Sequence, residues 1–190
     1  YFGSVVTIWA NTSIGSSFTG FSGSLIGTTS PQTLIFDGNE TVDAFFTRNG
    51  PYMLALTTSG TGTGTIQANP TGPYYYGDLI TIWANASIGS TFTGFSGSLT
   101  GTITPQTLMV DGNETVNAAF TQNIYTLTLT TSGTGIGTIQ ASPGPYYYGS
   151  TATIWANTTI GSTFIGFTGS LIGTTTPQTL IFDGEEAVDA

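Results

Sequence analysis

The chain has 190 residues, no cysteine, no histidine, 6% charged side chains and a formal net charge of −9, with Arg48 its sole basic residue. This composition removes thiolate and imidazole chemistry, zinc sites built on those residues and disulfide staples. It also leaves no Lys/Arg cluster to neutralise nucleic-acid phosphates or an anionic membrane surface.

With 38% hydrophobic residues the chain can bury packed cores. Ion pairs can add little to them, so stability should depend weakly on pH and salt. No apolar run reaches the roughly 18 residues of a spanning helix. Trp9, Trp83 and Trp155 stand in the phrases TIWANTSIGS, TIWANASIGS and TIWANTTIGS, 74 and 72 residues apart. The chain is therefore a tandem array, and any function must suit a repeated surface. Residues 1–46 are a partial repeat without its N-terminal hairpin, 52–120 a complete repeat, and 125–190 a repeat lacking only its C-terminal end.

Within a unit the apolar period is two. Tyr125, Leu127 and Leu129 alternate with threonines, and the Gly-rich SGTGIGT then leads into TIQA, which predicts a hairpin. After PYYYG a third strand follows, with Ile80, Ile82 and Ala84 on one face and Leu79, Thr81 and Trp83 on the other. FTGFSG, carrying Phe92 and Phe95, is a fourth short segment, and only Ser98 to Thr102 has room for a single helical turn. TLMV at 107–110 and TVNAAF at 115–120 close the unit across an Asp-Gly turn. The set Val6, Ile8, Ala10, Leu34, Phe36, Val42, Ala44 and Phe46, with its counterparts 74 residues on, is apolar in both registers and is expected inside. Five residues separate Phe46 from Tyr52 and four separate Phe120 from Tyr125. Such junctions are too short for a flexible tether, so a stiff, rod-like array of all-β modules, β-grasp-like or sandwich-like, is expected.

The unit YTLTLTTSGTGIGTIQASPGPYYYGSTATIWANTTIGSTFIGFTGSLIGTTTPQTLIFDGEEAVDA resembles a divergent internalin-type B-repeat, a module of bacterial and archaeal surface proteins. The resemblance rests on the Thr-rich hairpin with SGTG, the Tyr-Gly before the third strand, the FTGFSG phrase and the closing Asp-Gly turn into Val-x-Ala-x-Phe. It implies a small β-rich, β-grasp-like module of extracellular stalks and adhesins, and implies no catalytic residue. Phe21, Phe95 and Phe167 stand where that family usually carries Trp.

By strand parity Trp9, Trp83 and Trp155 point away from the core. They form either a second core layer or an outward aromatic patch for a neighbouring unit, another chain or a sugar. Ile35, Met109 and Ile181 face the same way and make interface candidates. Asn11, Asn39, Asn85, Asn113 and Asn157 head Asn-x-Ser/Thr sequons and are N-glycosylation candidates. Asp-Gly-Asn-Glu at 37–40 and 111–114 reads as a turn rather than a calcium loop or a glycosidase carboxylate pair. The Tyr runs at 74–76 and 146–148 read as strand-edge packing. No catalytic, cofactor or metal residue is expected.

The expected function is a non-enzymatic extracellular structural protein: a glycosylated stalk or filament subunit that associates with itself or with neighbouring repeats through strand or aromatic-patch contacts. A cell-surface adhesin or carbohydrate-binding module using Trp and Tyr is the alternative.

Overall fold

The structure is a computed structural model describing residues 1–190; it contains strands and turns and no helix. Threonine and β-branched residues dominate the alternating segments, which suits a pleated, half-buried surface. No helix is long and apolar enough to cross a membrane.

The first repeat carries β1 (Val5–Ile8), β2 (Ser16–Gly23), β3 (Gln32–Ile35) and β4 (Val42–Arg48). β1 pairs with β3 and β2 with β4, giving two two-stranded sheets. The second repeat carries β5 (Leu54–Gly60), β6 (Gly64–Asn69), β7 (Leu79–Ala86), β8 (Ser90–Gly97), β9 (Gln106–Met109) and β10 (Glu114–Gln122). These make two three-stranded sheets, β5-β10-β8 and β6-β7-β9. The hairpin strands thus separate, one joining each sheet.

The third repeat follows the same plan with β11 (Ile124–Tyr125), β12 (Leu127–Thr130), β13 (Gly137–Ala141), β14 (Tyr146–Tyr147), β15 (Thr151–Thr158), β16 (Thr168–Gly169), β17 (Gln178–Ile181) and β18 (Glu186–Asp189). Its sheets are β12-β18-β16 and β13-β15-β17, and β11 pairs with β14. β12 and β18 run parallel, Leu127 opposite Glu186 and Leu129 opposite Val188. Apart from the two-residue β11, the opening and closing strands of the repeat, β12 and β18, thus lie side by side, the arrangement expected of a β-grasp-like module.

The chain folds as two compact units, Tyr1–Thr57 with Ile66–Trp83 and Phe95–Asn117, and Thr58–Thr65 with Ala84–Gly94 and Ala118–Ala190. Each contains one whole junction between consecutive repeats. In the second unit a cluster of Ala152, Ile154, Phe167, Leu171, Leu180, Phe182 and Val188 is buried, and Tyr146 stacks on Phe182 at 4.3 Å between centroids. Each large side chain so buried contributes about 1.5–3 kcal/mol.

Alternation places the core of the complete repeat correctly: Ile80, Ile82, Ala84, Leu108, Val110, Val116, Ala118 and Phe120 are all buried. In the first repeat it does not. Leu34 is buried, but Val6, Ile8, Ala10, Phe36 and Val42 are only half-buried, and Ala44 and Phe46 are exposed, Phe46 by 45%. The reason is that β1-β3 and β2-β4 each have two strands where the complete repeat has three. Ser98 to Thr102 forms no helical turn; the Phe95 N–H instead donates to the Gly101 carbonyl at 2.7 Å.

Candidate functional site

In a tandem array the features that recur, and so can be built for a repeated task, are the junctions, the outer sheet faces and the turns. The first junction lies within the first unit. Asn49 follows β4 and bonds in three directions: its N–H donates to the Gly15 carbonyl at 2.8 Å, its carbonyl accepts from the Tyr76 N–H at 3.0 Å, and its Oδ1 accepts from Ser17 Oγ at 2.6 Å. Gly15 has φ +80°, and a Cβ built on it would lie 2.0 Å from the Tyr76 ring. Only glycine meets both demands, a left-handed backbone and contact with an aromatic ring.

Around this clip Arg48 Nη2 donates to the Tyr76 carbonyl at 2.7 Å and to Asp78 Oδ1 at 2.6 Å, with the guanidinium 5.4 Å from the Tyr75 ring centre. Asp78 also accepts from the Tyr75 N–H at 2.7 Å. The Arg48 hydrogen bond, then that backbone N–H, hold the Asp78 carboxyl below the usual carboxylate range. Tyr52 and Tyr74 pair as an antiparallel bridge on the far side of the turn.

The second junction, within the second unit, repeats the clip. The Asn123 N–H donates to the Gly89 carbonyl at 2.8 Å, and its Oδ1 accepts from Thr91 Oγ1 at 2.7 Å. Gly89 has φ +76°, and a Cβ there would lie 2.4 Å from the Tyr148 Cβ. Ile124 and Tyr125 pair with Tyr147 and Tyr146. No ion pair is present: Gln122 replaces Arg48 and Ser150 replaces Asp78, with Ser150 Oγ accepting from the Tyr147 N–H at 2.9 Å. The third equivalent glycine, Gly161, also has positive φ (+88°), but a Cβ there meets nothing within 4 Å.

The indoles form no second core layer. Trp83 and Trp155 lie half-buried on the outer faces of β7 and β15, and Trp83 Nε1 donates to Gln67 Oε1 on β6 at 2.9 Å. Trp9, on a repeat with no equivalent of β6, is 63% exposed. Ile35, Met109 and Ile181 are exposed by 61%, 54% and 64%. Ile35 stands opposite Val5, Met109 opposite Leu79 and Ile181 opposite Thr151.

All five sequon asparagines, Asn11, Asn39, Asn85, Asn113 and Asn157, are exposed. Asn113 also pins the start of the hairpin, its Oδ1 accepting from the Met53 N–H at 2.9 Å. Glu185 takes that place in the third repeat, accepting from the N–H and hydroxyl of Thr126, which lowers its pKa. The glutamate of each Asp-Gly-x-Glu turn folds back onto its own loop: Glu40, Glu114 and Glu186 accept from the N–H of Asp37, Asp111 and Asp183 at 3.3, 3.2 and 3.3 Å.

The tyrosine runs prove to be junction parts as much as edge packing. Tyr75 lies under Arg48, Tyr76 abuts Gly15, and Tyr148 abuts Gly89. Sequence reasoning passed over Asn49, Asn123, Gly15 and Gly89. The available signal was an asparagine closing both FTRN and FTQN and a glycine inside every SIGS or TIGS phrase.

A family model described as a divergent InlB B-repeat domain matches residues 1–50, 54–124 and 127–190. No curated protein and no solved structure matches the chain. The three matched segments meet at 50–54 and 124–127, within a few residues of the two asparagine clips.

Proposed function

Since the chain belongs to the divergent InlB B-repeat family, a tandem β-repeat of the surface-protein type, we propose that it serves outside the cell as a load-bearing spacer, a stalk or filament segment rather than an enzyme. The observation that carries this reading is the repeated clip. The same Asn-to-Gly backbone bond, the same side-chain bond to a Ser or Thr hydroxyl and the same tyrosine contact recur at both junctions. A chain that only needed to tether an activity would gain nothing from fastening each repeat to the next.

Low charge supports the same reading, because uncharged Thr- and Gly-rich surfaces lose little when external pH or salt changes. Exposure of all five sequons fits a glycosylated exterior. Protease shaving and immunogold labelling of intact cells test the location, and intact-mass measurement of native protein tests the glycans. Label confined to the cytoplasm would end the stalk reading.

The alternative, a carbohydrate-binding or adhesive module, is favoured by one observation, the exposed indole of Trp9. It requires that Trp9→Ala abolish binding on a glycan array while the melting curve is unchanged.

A further inference from the structure

Each repeat carries the phrase Trp-Ala-Asn-x-Ser/Thr, at 9–13, 83–87 and 155–159. Its fourth position varies between threonine and alanine, while the fifth changes only from Ser13 and Ser87 to Thr159, the exchange that keeps an N-glycosylation acceptor. The sequon of the Asp-Gly turns behaves differently, since Asn39 and Asn113 have Glu185 as their counterpart in the third repeat. Only the sequon beside the tryptophan recurs in all three repeats.

In the second repeat Trp83 and Asn85 project from the same outer face of β7, Trp83 half-buried and Asn85 exposed, while Ile82 and Ala84 turn inward. Two residues along a strand lie about 6.6 Å apart, so the two side chains are next neighbours on that face. On the β6 side Gln67 accepts the indole N–H at 2.9 Å, which satisfies the ring's one polar group and restrains the ring. On the other side β9 pairs with β7 only from Leu79 to Ile82, so no strand flanks Trp83 and Asn85 there. The third repeat reproduces the arrangement. Trp155 lies opposite Gln140 and Asn157 opposite Thr138 on β13, while the pairing with β17 stops at Ile154. Each site is thus an indole face open on one flank, with an exposed glycosylation acceptor beside it.

We propose that Asn85 and Asn157 carry N-linked glycans whose first sugar packs on the indoles of Trp83 and Trp155, so that the chain itself supplies the ligand of its tryptophans. The chemical class is a pyranose of gluco configuration, whose ring C–H bonds form an apolar face that suits an aromatic surface. It comes from an activated, lipid-phosphate-linked sugar. The anomeric carbon bonds to the asparagine Nδ2, its bond to the phosphate oxygen breaks, the lipid phosphate leaves with that electron pair, and the amide nitrogen gives up one proton. Once attached, the sugar covers the exposed part of the indole and removes apolar area from water. Asn113 supplies the contrast: it precedes β10, in a sheet without tryptophan, and its Oδ1 is tied to the Met53 N–H. A sugar there is held by its link alone. The inference rests on the extracellular reading, since N-linked sugars are added to exported chains; a sugar attached at Asn85 but free of the indole would defeat the contact and leave the location standing.

The test uses the chain secreted from yeast and trimmed by endoglycosidase to a single N-acetylglucosamine at each occupied asparagine, read by peptide mass spectrometry and NMR. Occupancy of Asn85 and Asn157 is expected, with the ring protons of those sugars shifted upfield by the indoles and those of a sugar at Asn113 unshifted. In Trp83→Thr the upfield shift at Asn85 should be lost and the one at Asn157 kept. Thermal unfolding gives a second readout, each protein being compared with its own Ser87→Ala form, which lacks the acceptor sequence but keeps Asn85. The sugar should raise the melting temperature by about 2 °C beside Trp83 and leave it unchanged beside the threonine. Trp83→Phe, which keeps an aromatic face, should retain part of both effects and serves where the threonine variant does not fold. An exported chain without sugar at Asn85, an Asn85 sugar with unshifted ring protons, or a melting increment that survives loss of the aromatic ring would overturn the proposal.

Discussion

The two junctions hold their repeats by the same clip but surround it with different chemistry. The first has an arginine, an aspartate and a tyrosine face around Asn49; the second has glutamine, serine and no charge around Asn123. What survives the change is the asparagine, the left-handed glycine and the tyrosine pressed on it. The difference teaches that backbone geometry carries the joint and that the ion pair is an accessory. This agrees with the small contribution expected of a solvent-exposed pair, here with side chains 54% and 28% exposed.

The strongest way to break this comparison is to add one methyl at each equivalent glycine. Gly161→Ala incurs only the left-handed strain of a non-glycine residue, about 1–2 kcal/mol. Gly15→Ala and Gly89→Ala incur that and also displace a tyrosine, a further penalty of about 1–3 kcal/mol. Denaturant unfolding of the three variants should place Gly15→Ala and Gly89→Ala together, both below Gly161→Ala. Equal effects at all three sites would mean that the tyrosine contacts are incidental.

Next in size are Asn49→Ala and Asn123→Ala. Each removes the bond to Ser17 or Thr91 but leaves the backbone bond to glycine, and a loss of about 1 kcal/mol is expected for each. The same melting experiment checks it, and a clearly larger effect at Asn49 would show that the ionic surroundings are not accessory after all.

Smaller still is the response to acid. Asp78 is held below its ordinary pKa by Arg48 and by the Tyr75 N–H, so its contribution is fully present above the unfolded carboxylate value, about pH 4. It is lost as pH falls through the lower folded value. Asp78→Ser, which copies Ser150, should therefore lower the melting temperature slightly at neutral pH and make no difference once both proteins are below that window. Calorimetry at the two pH values reads this directly. Arg48→Gln, which copies Gln122, should have the least effect of all, shrinking with added salt.

Much of the fold could be read from the chain because the chain contains its own copies. The period of two, the Asp-Gly turns and the recurring tryptophan phrase identify the strands of the complete repeat, and its eight core positions are all buried. The first repeat escaped the same reading since alternation reports which face a side chain takes, not whether another strand covers that face. Ala44 and Phe46 have the right parity and lie exposed in a two-stranded sheet. Trp83 shows the opposite effect, an outward residue half-covered by Gln67, a neighbour 16 residues away.

The clip was hidden for a further reason. Asn49 and Gly15 are 34 residues apart and each, taken locally, is an ordinary loop residue. Their meaning comes from a backbone bond that only the folded repeat creates. Asparagine at the end of both closing strands was visible; its partner was not.

The central claim, that consecutive repeats are fastened and not merely linked, can be measured by pulsed electron spin resonance, which a cysteine-free chain makes simple. Spin labels on cysteines replacing the exposed Thr28 and Thr102 span the first junction within the first unit, and labels at the exposed Ile88 and Ile160 span the second within the second unit. The account predicts one narrow distance distribution for each pair, broadened at the second pair by Gly89→Ala. Broad distributions in the unaltered chain, unchanged by that substitution, would contradict it.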